Sequence, residues 1–198
     1  MKFEPRGKWL RLPVEVRSDS ETGDVIVEGY AAVFNQPTDI GGHFREQIAP
    51  GAFNDALGRD DVVFLVNHEG LPLARTRSGT LELSQDDHGL KMRSVLEPTD
   101  PDVLAIVGKM KRGDLDKMSF AFFPEVEEWD ETGDIPLRTI KSAGLADVSI
   151  VTMPAYDGTE IGLRSLEKYR IGIRQKNFSA VRFRMALKKD LAKRENGL

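Results

Sequence analysis

Between residues 14 and 155 this chain is a succession of short runs of β-forming residues, each closed by a turn signal, and that pattern commits it to a fold built mainly of strands. Val25-Ile26-Val27-Glu28-Gly29-Tyr30-Ala31-Ala32-Val33-Phe34 follows Asp19-Ser20-Glu21-Thr22-Gly23-Asp24 and predicts a strand leaving a hairpin turn. Residues 62–66 are continuously apolar and of strand length, which suits a strand buried on both faces. Residues 80–83 and 90–96 alternate in polarity on either side of Gln85-Asp86-Asp87-His88-Gly89, as the arms of a hairpin do. Further strands are expected across Ser119, over residues 137–140 and around Asp147, with a hairpin turn at Asp130-Glu131-Thr132-Gly133-Asp134.

Helices are fewer. Thr99-Asp100-Pro101 supplies a capping residue and a proline for a helix start, Val103, Leu104, Val107 and Met110 recur on one face, and Gly113 is the stop. A shorter helix is expected to begin near Pro50 and run to Leu57. Many strands with one or two helices predict an α+β fold, mainly β with flanking helices: a closed or nearly closed β-barrel with the helices packed outside. After Arg164 the composition changes. Residues 165–198 carry ten Lys and Arg against three Asp and Glu, a net +7 that leaves −11 for the rest of the chain. Val181/Met185 and Phe183/Leu187/Leu191 stand at helical i,i+4 spacing within it. Two domains are therefore expected, a β domain over 1–164 and a basic, helical tail over 165–198.

The chain has no cysteine, which excludes disulfides, thiol catalysis and cysteine-ligated zinc. Its three histidines, His43, His68 and His88, lack HxH or HExxH spacing, so no metal site is expected. Residues 1–12 carry charges throughout, and no run approaches the roughly 18 apolar residues that span a bilayer; a soluble, intracellular protein is expected. No glycine loop of the phosphate-cradling kinds occurs, and the basic tail has few aromatics among its cations, which argues against nucleotide and nucleic-acid partners.

Chemistry enters through three of the strands. In Asp116-Lys117-Met118-Ser119-Phe120-Ala121-Phe122-Phe123, side chains alternate faces, so Ser119 and Ala121 share a small face opposite bulky Met118, Phe120 and Phe122. That suits a nucleophile at the wall of a cleft, where a substrate carbonyl must come within about 3–3.5 Å; it also suits a serine on the solvent side of a strand. His68 ends the apolar run 62–66 after Asn67 and precedes Glu69-Gly70, a place from which an imidazole can act as general base, or simply end a strand in water. Asp147 shares a face with Ser149 while Val148 and Ile150 face the other way. It can hold the far nitrogen of His68, or sit on an edge strand bound to backbone, Arg138 or Lys141. Serine, histidine and carboxylate on three strands are the parts of a serine hydrolase. His43, after two glycines, and His88, in a hairpin turn, are weaker candidates.

Taken in order, blocks of the chain resemble the prohead maturation proteases of tailed bacteriophages, relatives of the herpesvirus assemblins. The blocks are Gly29-Tyr30-Ala31-Ala32-Val33-Phe34-Asn35, Ile48-Ala49-Pro50-Gly51-Ala52-Phe53, Asn67-His68, Asp87-His88-Gly89-Leu90, Lys111-Arg112-Gly113-Asp114-Leu115, Met118-Ser119-Phe120-Ala121-Phe122 and Val148-Ser149-Ile150-Val151-Thr152-Met153-Pro154-Ala155-Tyr156. The resemblance implies Ser119 as nucleophile, His68 as base and Asp147 as third member, where many relatives carry Glu; His88 is the rival for that third role, because assemblins use a second histidine. It implies an assemblin-like β-barrel surrounded by helices, with 1–164 as the catalytic domain. It also implies a cofactor-free endopeptidase inside the phage prohead, assembled in the bacterial host cytoplasm. The implied partners are the major capsid protein and its scaffold segment as substrate, with self-cleavage, no nucleic acid and no membrane, and a homodimer by analogy with assemblins. The basic tail is expected to dock on acidic scaffold or capsid surfaces or to be removed by autolysis. Two other readings remain: a catalytically silent assembly factor on the same fold, and an esterase or acyl transferase, which would usually show a Gly-x-Ser-x-Gly elbow absent here.

Overall fold

The computed structural model describes residues 4–7, 14–18, 24–152 and 159–195. In chain order the elements are β1 (Glu4–Gly7), β2 (Glu15–Ser18), β3 (Val25–Val33), β4 (Thr38–Ile40), β5 (Phe44–Ile48), α1 (Asn54–Arg59), β6 (Val63–Val66), β7 (Glu69–Arg75), β8 (Leu81–Gln85), β9 (Gly89–Leu96), α2 (Pro101–Arg112), β10 (Lys117–Asp130), β11 (Leu137–Val151) and α3 (Thr159–Glu195). They fall into two compact units, Met1–Thr159 and Glu160–Leu198.

The first unit holds two sheets. A seven-stranded sheet runs β1-β10-β11-β5-β4, with β6 also on β11 and β7 on β6, and a four-stranded sheet runs β2-β3-β9-β8. The sheets meet through a shared apolar core and, among the described residues, one isolated bridge joins them, Phe34 to Ile48. The expected closed barrel is thus not formed; the sheets are open. The pattern of alternating residues specifies which face of a strand is buried, and a packed pair of sheets satisfies that as well as a barrel does. Closure needs edge strands to pair, and alternation carries no instruction for that.

Most other elements fall where turn chemistry places them. The β8-β9 hairpin forms at the predicted turn, and β2 pairs antiparallel with β3, the turn expected between them lying at residues 19–23 outside the described residues. β9 begins at Gly89 because only glycine fits there: a Cβ would lie 2.0 Å from the Ala32 carbonyl oxygen. In α2, the Asp100 carboxylate accepts from the backbone N–H of Asp102 at 2.8 Å and Pro101 fills the first turn. Gly113, at φ 80°, closes the other end as Gly113 N–H donates to Met110 O and Asp114 N–H to Lys109 O. Its buried stripe is Val103, Ile106 and Met110; Leu104, expected on that face, is 62% exposed. Asp100→Ala should lower stability by about 1 kcal/mol, read as a lower urea midpoint at unchanged slope.

Other boundaries depart from the sequence expectation. The helix expected from Pro50 starts only at Asn54, because Gly51 adopts φ 80° and residues 49–54 turn instead. β6 is half-buried apart from Phe64 rather than enclosed on both faces. The strands expected at 137–140 and at Asp147 are one, β11, which pairs antiparallel with β10 along almost its whole length. Register shifts in that ladder leave Glu125, Lys141 and Ala146 without an opposite residue, and such bulges bend a strand so that both its halves stay in the core. On its other edge β11 takes two parallel partners in turn, β5 along 137–140 and β6 along 147–150. The loop between them is stitched down by Ala49 N–H to Ile140 O and Ala143 N–H to Ala52 O.

The core face of β10 is aromatic. Phe120 stacks on Phe122 at 5.3 Å and meets Phe53 edge-on at 5.7 Å, and Phe53 lies 6.2 Å from Phe34. This large apolar surface turns Met118, Phe120 and Phe122 one way, and so turns Ser119 and Ala121 the other.

The second unit is the long helix α3, whose described part exposes Ile171, Phe178, Val181, Phe183 and Met185. Val181 and Met185 are thus an exposed i,i+4 pair, and the side chains of Leu187 and Leu191 lie outside the described residues.

Candidate active site

On the small-residue face of the large sheet, the β10-β11 ladder sets Ser119 directly opposite Ser149 and Ala121 opposite Asp147. Asp147 and Ser149, two apart on β11, therefore share that face with Ser119. The bulge at Ala146 immediately precedes Asp147, and bulges beside functional residues re-aim the side chain that follows. The level of the bulge is fixed from outside the ladder: Leu145 N–H donates to the Asp60 carboxylate at 2.7 Å. The Arg59 guanidinium beside Asp60 holds that carboxyl below its usual range, so it stays an acceptor.

His68 reaches the same face from the β6-β7 connection. Val66 pairs with Glu69, so the connection is a two-residue turn made of Asn67 and His68. Both have positive φ, 54° and 61°, as two-residue hairpin turns that follow the strand twist demand. Asparagine and histidine are among the few residues that tolerate this region, and strained backbone of this kind persists where surrounding bonds hold it. Here they do: Asn67 N–H donates to Ile150 O at 2.9 Å, and the Asn67 side-chain oxygen accepts from Thr152 N–H at 3.0 Å. β6 runs parallel to β11 at residues 147–150, so this clamp fixes the histidine relative to the acid.

The result is a continuous chain of hydrogen bonds. His68 Nδ1 lies 2.7 Å from Asp147 Oδ1, and His68 Nε2 lies 2.6 Å from Ser119 Oγ. A carboxylate only accepts, so Nδ1 carries the imidazole proton and donates to Asp147, which leaves Nε2 to accept from the Ser119 hydroxyl. The site is largely buried: Ser119 has no exposed surface, and the side chains of His68 and Asp147 retain 10% and 7%.

The structure brings Ser119, His68 and Asp147 together and leaves the other candidates elsewhere. Exposed His88 packs edge-on against Tyr30 at 4.5 Å, and His43 is exposed in the β4-β5 turn. Arg138 and Lys141, the alternative partners considered for Asp147, pair with Glu46 and Glu127 and with Glu128. Sequence reasoning missed the Asn67 clamp and the hydroxyl of Ser149 at the carboxylate. Part of the signal for the first was present, since Asn67-His68 closes the apolar run 62–66 and precedes Glu69-Gly70.

A serine, an imidazole and a carboxylate bonded in that order on a rigid β scaffold form the arrangement of the Ser-His-Asp hydrolases. Within that class, residues 12–171 match the family model described as the caudovirus prohead serine protease, and the chain belongs to that family. It is similar to the prohead protease of Enterobacteria phage HK97, 31% identical over an alignment of 147 residues that covers 71% of this chain and 60% of the relative. The chain therefore spans well under two thirds of that relative's length. Among solved structures it is similar to the bacteriophage T4 capsid assembly protease, with a TM-score of 0.48 at 9% identity over 77% of this chain and 98% of the other.

Proposed function

We propose that this chain is a serine endopeptidase of phage capsid maturation, with Ser119 as nucleophile, His68 as general base and acid, and Asp147 as the residue that orients His68. The observation that carries it is the Ser119–His68–Asp147 chain at 2.6 and 2.7 Å, and family membership supports it. Ser119 Oγ attacks the peptide carbonyl carbon as its proton passes to His68 Nε2. The tetrahedral intermediate collapses with cleavage of the C–N bond, and His68 gives that proton to the departing amine. The ester left on Ser119 is then hydrolysed by a water that His68 deprotonates, and His68 returns that proton to Ser119 Oγ as the ester C–O bond breaks. Asp147 stabilises the imidazolium throughout and keeps Nδ1 as its proton-bearing nitrogen.

The substrates in this reading are the capsid protein with its scaffold segment and the chain itself, cleaved inside the prohead within the host cytoplasm. Residues 1–164 form the catalytic domain. The basic tail, 165–198, serves docking on acidic scaffold or capsid surfaces, and the active form is a homodimer.

A catalytically silent assembly factor is the second reading, favoured by the complete burial of Ser119. An enzyme needs the surrounding segments to open before a carbonyl can reach Oγ; Gly7 of β1 lies across the ladder from that residue. Incubation with the cognate capsid protein, followed by intact-mass analysis, separates the two. New fragments, suppressed by a fluorophosphonate whose adduct maps to Ser119, are expected of the protease. Intact capsid protein and an unlabelled Ser119 would establish the assembly factor.

A further inference from the structure

We propose that Ser149 is a positioning residue of this site, a fourth member that holds the Asp147 carboxylate in place for His68; the inference rests on the function proposed above. The Ser149 hydroxyl donates to Asp147 Oδ1 at 2.7 Å, the same oxygen that accepts from His68 Nδ1–H, and Ser149 Oγ lies 3.3 Å from His68 Nδ1. The three groups close a small ring of polar contacts, with the Nδ1 proton directed at Oδ1 and the Ser149 oxygen beside it.

A buried hydroxyl does not need to be here for packing. Ala121, on the same face of the sheet and opposite Asp147, is apolar and fully buried, and Ser149 itself has no exposed surface. Among the described residues the other buried serine outside the site, Ser94, donates its hydroxyl to a backbone carbonyl, Thr80 O, at 2.9 Å. Ser149 spends its own on a carboxylate that already has a partner. That choice has a mechanical sense. An aspartate side chain turns about two bonds, and if His68 were its only anchor, the acid would be held by the group it has to orient. Ser149 sits two residues from Asp147 on the same strand, so its bond refers the carboxylate to β11 itself and not to the strained turn that carries His68. Its donation also offsets the desolvation of a charge kept away from water.

The test uses the full chain and a quenched-fluorescent peptide spanning the cleavage site mapped on the capsid protein. Ser149→Ala should lower kcat by about 10- to 10²-fold and leave KM within about twofold, with a melting temperature lowered by only a few degrees for the lost bond to the carboxylate. Ser149→Thr, which returns the hydroxyl, should restore most of kcat. In ¹⁵N-labelled protein the downfield His68 Nδ1–H resonance should shift or broaden in the alanine variant, a signature that loss of packing alone would not produce. Wild-type kcat with an unaltered Nδ1–H resonance in Ser149→Ala would overturn the assignment. So would a loss of kcat that merely tracks a lowered melting temperature and is not relieved by threonine. Ser119→Ala in parallel separates the two levels: if it is inactive while Ser149→Ala is unimpaired, only the Ser149 role falls. If Ser119→Ala cleaves like wild type, the function itself falls, and this inference with it.

Discussion

Ser119→Ala is expected to lower the rate of peptide cleavage by about 10³- to 10⁶-fold while the protein folds as before. The size of the effect follows from the hydroxyl's position at the end of the hydrogen-bonded chain, 2.6 Å from His68 Nε2. In the proposed mechanism no acyl-enzyme forms without it, and what remains is the acceleration that substrate binding and charge stabilisation provide. The fold should tolerate the change because the alanine occupies a position flanked by Met118 and Phe120, whose side chains face the core on the opposite side of the sheet, and Ala121 already occupies the next position on the serine's own face. The His68 ring would retain its bond to Asp147 and hence its place. Measured on the capsid protein by intact mass, with urea midpoints for both proteins, the expected result is a large rate loss at matched stability. Equal cleavage by the two proteins would remove Ser119 from the mechanism.

The residues that make this prediction specific were legible because strand periodicity reports faces. Alternation in residues 118–122 puts Ser119 away from the aromatic core, and alternation in 147–150 puts Asp147 beside Ser149; both hold in the structure. Capping chemistry likewise located both ends of α2, since Asp100, Pro101 and Gly113 each answer a local backbone requirement. Periodicity says nothing of partners. That β11 would lie parallel to β5 and then to β6 is a contact between distant segments, decided by tertiary packing. The bulges at Glu125, Lys141 and Ala146 are equally silent in the pattern, and they turn two expected strands into one curved strand. The open sheets have the same origin, because edge pairing is not written in alternation. The position of His68 was legible only in part: the apolar run ahead of it was, whereas the left-handed Asn67-His68 turn that swings the ring onto the sheet lacks the glycine that usually marks one.

The far end of β11 carries the second large effect, one of stability. Arg138 is 1% exposed and lies between two carboxylates: Nη1 donates to Glu46 Oε2 at 2.8 Å and Nε to Glu127 Oε2 at 2.7 Å, with the guanidinium 5.8 Å from the Trp129 ring centre. Glu46 is itself 4% exposed and is the register partner of Arg138 across the β5-β11 ladder. Arg138→Ala removes the cation and leaves the Glu46 charge buried beside a void, which should cost about 3–5 kcal/mol. Arg138→Met with Glu46→Gln removes both charges of the buried pair, leaves Glu127 at its part-exposed position and keeps the volume, and should recover most of that loss, because the paired charges lose much of their attraction to desolvation. Urea midpoints of the two variants at constant slope measure both. A loss as large in the double variant as in Arg138→Ala would mean that packing over Trp129, not charge compensation, holds this end of the sheet. Arg138 and Asp147 are nine residues apart along this curved strand, a separation of at most roughly 30 Å at about 3.3 Å per residue. Cleavage per folded molecule should therefore be unaffected by either change, so a variant made unstable at this end and still active at the other would show that the two ends of β11 serve separate ends of the problem, one the fold and one the chemistry.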